Sequence, residues 1–367
     1  MSATIQNSAA KRIRVMIVED SRTVREMLEH IVGEDPRLEV VASAASAEDA
    51  LKKLHQFAPD VISMDIRLPG MNGFEATKRI MAEKPTPIVV VSASVESEDL
   101  NISMNALRAG ALTVMEKPVG ASHRHYAEMA GRLCTQLVIM SQVRVIRQRP
   151  RRSPALQPPA IGQNASRATA IVSSAPGSLQ MLGIVASTGG PNALVKMLAG
   201  LGGNVPVPIL LVQHITPSFL KGFVVWLNGV APMRVIEAVD GQIPQPGSVY
   251  VAPAEQHLVL DRGCLRLDSS APVSVQRPSG TVLFRSMARS LGANCLGVLL
   301  TGMGEDGALG LRDIREAGGY TIAEDETTAV VYGMPAAAVK MGAVCESLPL
   351  DDIAPRVLQL LLATAPV

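Results

Sequence analysis

The chain has 367 residues, with 34 Lys plus Arg against 33 Asp plus Glu, a net charge of +1, and 47% hydrophobic but only 3% aromatic residues. At roughly 150 residues per domain this is two domains, three at most; it is too apolar for global disorder, and it lacks both the basic field of a typical nucleic-acid binder and the aromatic platforms of a single-strand binder. No apolar run approaches the roughly 18 residues of a membrane span, the opening MSATIQNSAAKRIRV is charged where a signal peptide needs its apolar stretch, and Cys134, Cys264, Cys295 and Cys345 lack the short paired spacing of a zinc site or disulfide frame, so reduced thiols in a cytoplasmic protein are expected.

In chain order, RVMIVED reads as a buried strand ending in acids. Ser21 then stands at an N-cap position, and Val24, Met27, Leu28 and Ile31 follow at helical spacing. LEVVASA, DVISMD, TPIVVVSAS and ALTVMEKP read as four further strands separated by amphipathic stretches. Five strands alternating with helices predict a doubly wound parallel sheet, an α/β fold.

Composition then breaks. From Ser141 to Gln180 there are six arginines, five prolines and no acid, and Pro150, Pro154, Pro158, Pro159 and Pro176 forbid a continuous helix. Residues 147–178 therefore read as a tether. The predicted division is 12–132, then 133–178 as a helix end and Pro/Arg-rich linker, then 179–365. In the last part LGIVAS, VPILLVQH, CLGVLLTG and YTIAED are strand-like, and Leu194, Met197, Leu198 and Leu201 mark a helix face. Residues 230–276, with GSVYVAP and LVLDRGCLRLD, predict a hairpin inserted in a second α/β domain.

Ligands of parallel sheets bind at the carboxyl ends of strands. In the first domain those ends carry Glu19 and Asp20, Asp65, Ser92 and Lys117. Three clustered carboxylates repel one another and suit Mg²⁺. A lysine and a hydroxyl beside them suit phosphoryl oxygens. With VED (18–20), MDIRLPGMNG (64–73), VVVSAS (89–94) and EKP (116–118), this domain resembles the flavodoxin-like receiver of two-component response regulators. The resemblance implies that Asp65 accepts the phosphoryl group, that Glu19, Asp20 and Asp65 hold Mg²⁺, and that Ser92 and Lys117 bind phosphoryl oxygens. One departure is Val114, where receivers usually carry the Phe or Tyr that reports phosphorylation to the output surface.

In the second domain LGIVASTGGPNAL places Ser187 between a strand and a helix, with Pro191 at the helix start. Backbone N–H groups of that helix point at whatever Ser187 holds, which suits a phosphate or an oxyanion equally. The spacing is not a dinucleotide fingerprint, which wants an acid where Val207 stands, nor a GxSxG elbow, which wants glycine at Val185. VQHITP puts His214 and TGMGEDG puts Asp306 at other strand ends, and one serine, one histidine and one aspartate on one sheet edge can form a triad. His257 competes for the role of base and Asp313 for that of acid.

ASTGGP (186–191), QH (213–214), VAPAEQH (251–257), RPS (277–279), VLF (282–284), LTGMGEDGA (300–308), AGGYTIAEDE (317–326) and VVYGMP (330–335) resemble the chemotaxis protein-glutamate methylesterases (CheB-type), which also deamidate glutamine. The resemblance implies a Rossmann-like hydrolytic domain in which Ser187 is the nucleophile, His214 the general base and acid, and Asp306 its orienting carboxylate, with Met303 and Thr188 at the oxyanion hole. It implies methyl-accepting chemoreceptors as substrate, a chemotaxis histidine kinase as phosphodonor, and no catalytic cofactor beyond the receiver's Mg²⁺; composition and run length give the expectation of no nucleic-acid partner and no membrane insertion. Val185 replaces the family's usual glycine, and a branched side chain two residues before the nucleophile is expected to narrow the site. With Val114, it favours the alternative of a non-catalytic receiver-linked scaffold in a sensory array.

Overall fold

The computed structural model describes residues 11–92, 104–107, 109–118, 126–143, 145 and 179–363. The tether expected over 147–178 lies outside the described residues, as do Ala93 and Ser94 of the fourth strand motif.

Strands β1 (Ile13–Val18), β2 (Leu38–Ala44), β3 (Val61–Met64), β4 (Ile88–Ser92) and β5 (Thr113–Glu116) form one parallel sheet in the order β2-β1-β3-β4-β5. This is the flavodoxin-like order. Helices α1 (Arg22–Glu34), α2 (Ala47–Phe57), α3 (Gly73–Glu83) and α4 (Tyr126–Ser141) flank it. Local chemistry fixes two of their starts: the Ser46 side chain accepts the Asp49 N–H and Asn72 accepts that of Glu75, satisfying donors that a first helical turn leaves free, whereas Ser21 stands at the N-cap of α1 without a side-chain cap bond. Both faces of β3 and β4 are buried, which explains their uninterrupted apolar runs.

The second sheet is also wholly parallel. It contains β6 (Met181–Ala186), β7 (Ile209–Gln213), β8 (Arg234–Glu237), β9 (Ser248–Val251), β12 (Cys295–Leu299), β13 (Tyr320–Glu324) and β14 (Glu346–Leu348), in the order β14-β13-β12-β6-β7-β9-β8. Its helices are α5 (Gly190–Leu201), α6 (Pro217–Val230), α7 (Gly280–Leu291), α8 (Ala308–Glu316), α9 (Met334–Lys340) and α10 (Leu350–Ala363). The hairpin expected across 230–276 is confined to β10 (His257–Asp261) and β11 (Cys264–Asp268), an antiparallel pair. GSVYVAP instead supplies β9, and β8 was not anticipated. Val249, Tyr250 and Val251 are consecutively buried, which a two-sided parallel strand allows and a half-exposed hairpin does not. Strand β6 lies between β7 and β12, so the chain leaves it in opposite directions along the sheet. The crevice at that switch point is where such sheets hold ligands.

Candidate active site

The acids of the first domain converge. Carboxylate oxygens of Glu19, Asp20 and Asp65 lie within 4.8 Å of one another, Glu19 and Asp65 buried and Asp20 exposed. The Lys117 ammonium bridges Glu19 at 2.7 Å and Asp65 at 2.8 Å. Burial, and then the Asp65 charge, push the Glu19 carboxyl up to about 7. Burial likewise raises Asp65, against the lowering pull of Lys117. One lysine among three carboxylates leaves an excess of negative charge, and the all-oxygen donor set fits a small hard divalent cation. Ser92 is buried at the end of β4, where its carbonyl accepts the Lys117 N–H at 2.9 Å. All five residues singled out in the sequence thus share one edge of the sheet.

In the second domain Ser187 directly follows β6, His214 follows β7, and Asp306 lies in the loop after β12. Gly189 (φ +79°) and Gly307 (φ +87°) occupy the left-handed region at the starts of α5 and α8, which most side chains disfavour. The turn at Ser187 is fixed through its backbone. Its N–H donates to the Thr301 carbonyl at 3.0 Å, and its carbonyl accepts from the Gly190 N–H and the Gln213 Nε2, at 2.8 and 2.9 Å.

His214 places Nε2 2.9 Å from the Asp306 carboxylate. Its Nδ1 is buried with no hydrogen-bond partner among the described residues. A carboxylate on Nε2 selects the tautomer protonated there and leaves Nδ1 as a lone-pair acceptor. Asp306 is itself held at the N-terminus of α7: Ser279 Oγ donates at 2.6 Å, Gly280 N–H at 2.6 Å and Thr281 N–H at 3.2 Å. Burial works against ionisation, but the bonds from His214, Ser279 and Gly280 outweigh it and hold the Asp306 carboxyl below its usual range. The competing residues are elsewhere. His257 is fully buried, accepts the Ser279 N–H on Nδ1 at 3.1 Å and sits with Nε2 3.2 Å from the Ala271 carbonyl. Asp313 pairs with Arg285 at 2.9 Å.

The loop after β12 lies against Ser187. A Cβ on Gly302 would meet the Ser187 Cβ at 2.7 Å. Met303 is 43% exposed, and its N–H makes no hydrogen bond among the described residues. The Thr188 carbonyl accepts from Thr301 Oγ1 at 2.9 Å.

Val185 does not narrow this crevice. It is wholly buried, and a Cβ on Gly280 would collide with its methyl groups, while one on Gly307 would meet Cγ1 at 3.4 Å. The side chain therefore backs the two turns that carry Asp306 and its donors. Sequence reading missed Ser279, Thr301 and Gln213. The signal for the first was present, since Ser279 caps α7 through the Val282 N–H.

The first domain meets this edge. Asn192, at the start of α5, donates through Nδ2 to the Leu107 carbonyl at 2.6 Å. Ser218, in the first turn of α6, lies 3.4 Å from the Glu116 carboxylate beside Lys117. Val330 and Val331 pack against the apolar cluster to which β1, α1, β2, β3, β4 and α4 of the first domain contribute, and Val330 also lies where a side chain on Gly189 would be.

Residues 182–357 match the family model of the CheB methylesterase, and residues 15–126 that of the response regulator receiver domain. A protein-glutamate methylesterase/protein-glutamine glutaminase of Paramagnetospirillum magneticum is 56% identical over 96% of this chain and 98% of its own. Another, of Syntrophus aciditrophicus, is 44% identical over 96% of this chain and 100% of its own. The crystal structure of the Thermotoga maritima CheB methylesterase catalytic domain covers 50% of this chain and 99% of its own, at 35% identity and a TM-score of 0.48. Among the described residues no helix is long and apolar enough to cross a membrane.

Proposed function

The chain belongs to the CheB methylesterase family, and from that premise we propose a phosphorylation-gated hydrolase that removes methyl esters from receptor glutamates and deamidates receptor glutamines. The observation that carries the catalytic assignment is the unpartnered, buried Nδ1 of His214, with Nε2 held by Asp306 at the switch point beside Ser187. Ser187 Oγ attacks the γ-carbonyl of the methylated glutamate while His214 Nδ1 takes its proton. The tetrahedral oxyanion is held by backbone N–H groups at Met303 and at the Thr188 turn, and each such donor is worth about 10² to 10³ in rate. The proton on Nδ1 passes to the departing methoxide and methanol leaves. Water, deprotonated by the same nitrogen, then cleaves the acyl-enzyme to the free glutamate and restores Ser187. A glutamine side chain follows the same course and releases ammonia. The test is methanol release from methylated receptor, with and without a small acyl phosphate.

In the receiver, Asp65 is the phosphoryl acceptor, and Glu19, Asp20 and Asp65 would hold Mg²⁺. When bound, the ion supplies positive charge to the phosphoryl oxygens. Lys117 and Ser92 orient those oxygens from the neighbouring strand ends. Asp65→Ala is expected to abolish labelling by an acyl phosphate and any rate increase it produces, while leaving the unstimulated rate within about twofold, since the change lies outside the crevice. Labelling that persists in this variant points to another acceptor.

The contacts at Asn192, Ser218 and Val330 support inhibition by the unphosphorylated receiver. A tether alone leaves two domains independent, so control needs such an interface. One hydrogen bond contributes about 0.5–1.5 kcal/mol, so Asn192→Ala is expected to raise the unstimulated rate about 2- to 12-fold and shrink the gain from phosphodonor by the same factor. An unchanged basal rate in methanol-release assays would mean that the receiver recruits or activates and does not restrain.

A further inference from the structure

Glu324 is the last residue of β13 and is 1% exposed, yet the hydrolytic cycle makes no use of its carboxyl. Its Oε2 accepts the Thr301 N–H at 2.8 Å, and its Oε1 is buried without a hydrogen-bond partner among the described residues. Thr301 stands two residues beyond the end of β12. There Leu300 still donates to Val185 of β6, but the neighbouring strand on the other side offers Thr301 a side chain in place of a carbonyl. The carboxyl extends the ladder by one step.

What Thr301 does with its other groups gives that step a purpose. Its carbonyl accepts the Ser187 N–H at 3.0 Å, and its Oγ1 donates to the Thr188 carbonyl at 2.9 Å and accepts the Val331 N–H at 2.9 Å. One residue thus ties down the peptide unit that precedes Ser187 and the one that follows Thr188, and Glu324 ties down that residue. Burying a carboxyl with one oxygen unsatisfied is costly, and an apolar side chain of similar volume avoids the cost. Burial pushes the group up to about 7, against the lowering by the Thr301 N–H and then by the nearby Thr328 hydroxyl, which makes no full hydrogen bond to Oε1.

Resting on the assignment of Ser187 as nucleophile, we propose that Glu324 is a positioning residue which, through Thr301, sets the placement of Ser187 for attack. What positioning requires is an acceptor oxygen, not a charge. The test is steady-state methanol release by the full-length protein at saturating phosphodonor. Glu324→Gln keeps an acceptor and is expected to stay within about threefold of wild type. Glu324→Met keeps the volume without the acceptor and is expected to lose about 10- to 100-fold in kcat with KM within about twofold, because small misplacements of reacting groups cost that much. A folded Glu324→Met protein with wild-type kcat, or a Glu324→Gln protein as impaired as Glu324→Met, overturns the proposal. Should Glu324→Met fail to fold, Glu324→Leu, which likewise removes the acceptor while keeping an apolar side chain, is read the same way, and a wild-type kcat overturns the proposal. Absence of methanol release by the wild-type protein would overturn the esterase reading itself.

Discussion

Ser187→Ala is expected to bring methanol release to background, a fall of about 10⁶ by comparison with other serine hydrolases, while the protein stays folded. Among the described residues, every hydrogen bond that fixes residue 187 runs through its backbone: the N–H to Thr301, and the carbonyl to Gly190 and Gln213. Alanine keeps all of them and removes only the attacking oxygen. His214 Nδ1 then has a lone pair and nothing to deprotonate except water. An unchanged thermal melting curve beside lost turnover is the expected pair of results. Wild-type turnover would require a different nucleophile at this edge.

Asp306→Asn is expected to lose about 10³ to 10⁴ in rate, the range seen when a triad carboxylate is replaced by its amide. The cause follows from what surrounds the carboxylate. Its oxygens face the Ser279 hydroxyl, two backbone N–H groups and the His214 ring, and the N–H groups can only donate. An amide NH₂ must face either Thr281 N–H, where two donors oppose, or Gly280 N–H and His214, where it also forces the wrong tautomer. In neither orientation does a negative charge remain to stabilise the imidazolium. Crystal structures would show little movement, and the loss should fall in kcat. A variant within tenfold of wild type would point to another carboxylate.

Much of this site was legible because a parallel sheet delivers its strand ends to one edge. Ser187, His214 and Asp306 each follow an apolar run, as do Glu19, Asp65, Ser92 and Lys117, and the runs were plain in the sequence. What was not legible is the layer behind them. Ser279 and Asp306 are 27 positions apart, and a serine before a helix announces a cap without saying which carboxylate the helix will face. The fate of Val185 was misread for a different reason. Strand alternation puts residues i and i+2 on one face, so Val185 was expected beside Ser187. The strand ends at Ala186, and the turn carries Ser187 away from the face where Val185 is buried. Strand β8 escaped notice because its four residues, with exposed Arg234, carry little pattern of their own.

Val185 and Gly280 behave as a single piece of volume divided between two distant segments. The methyl groups of one occupy the space that any side chain on the other would need. Chimeras between this chain and relatives bearing glycine at the first position must therefore exchange both segments together. Moving the strand β6 segment alone would leave a hollow under the turn that holds Asp306. Moving the α7 start alone, from a relative with a larger residue there, would force that turn outward. In either hybrid Ser187 and His214 would both be present, and the misfit would surface as a badly aimed His214 ring.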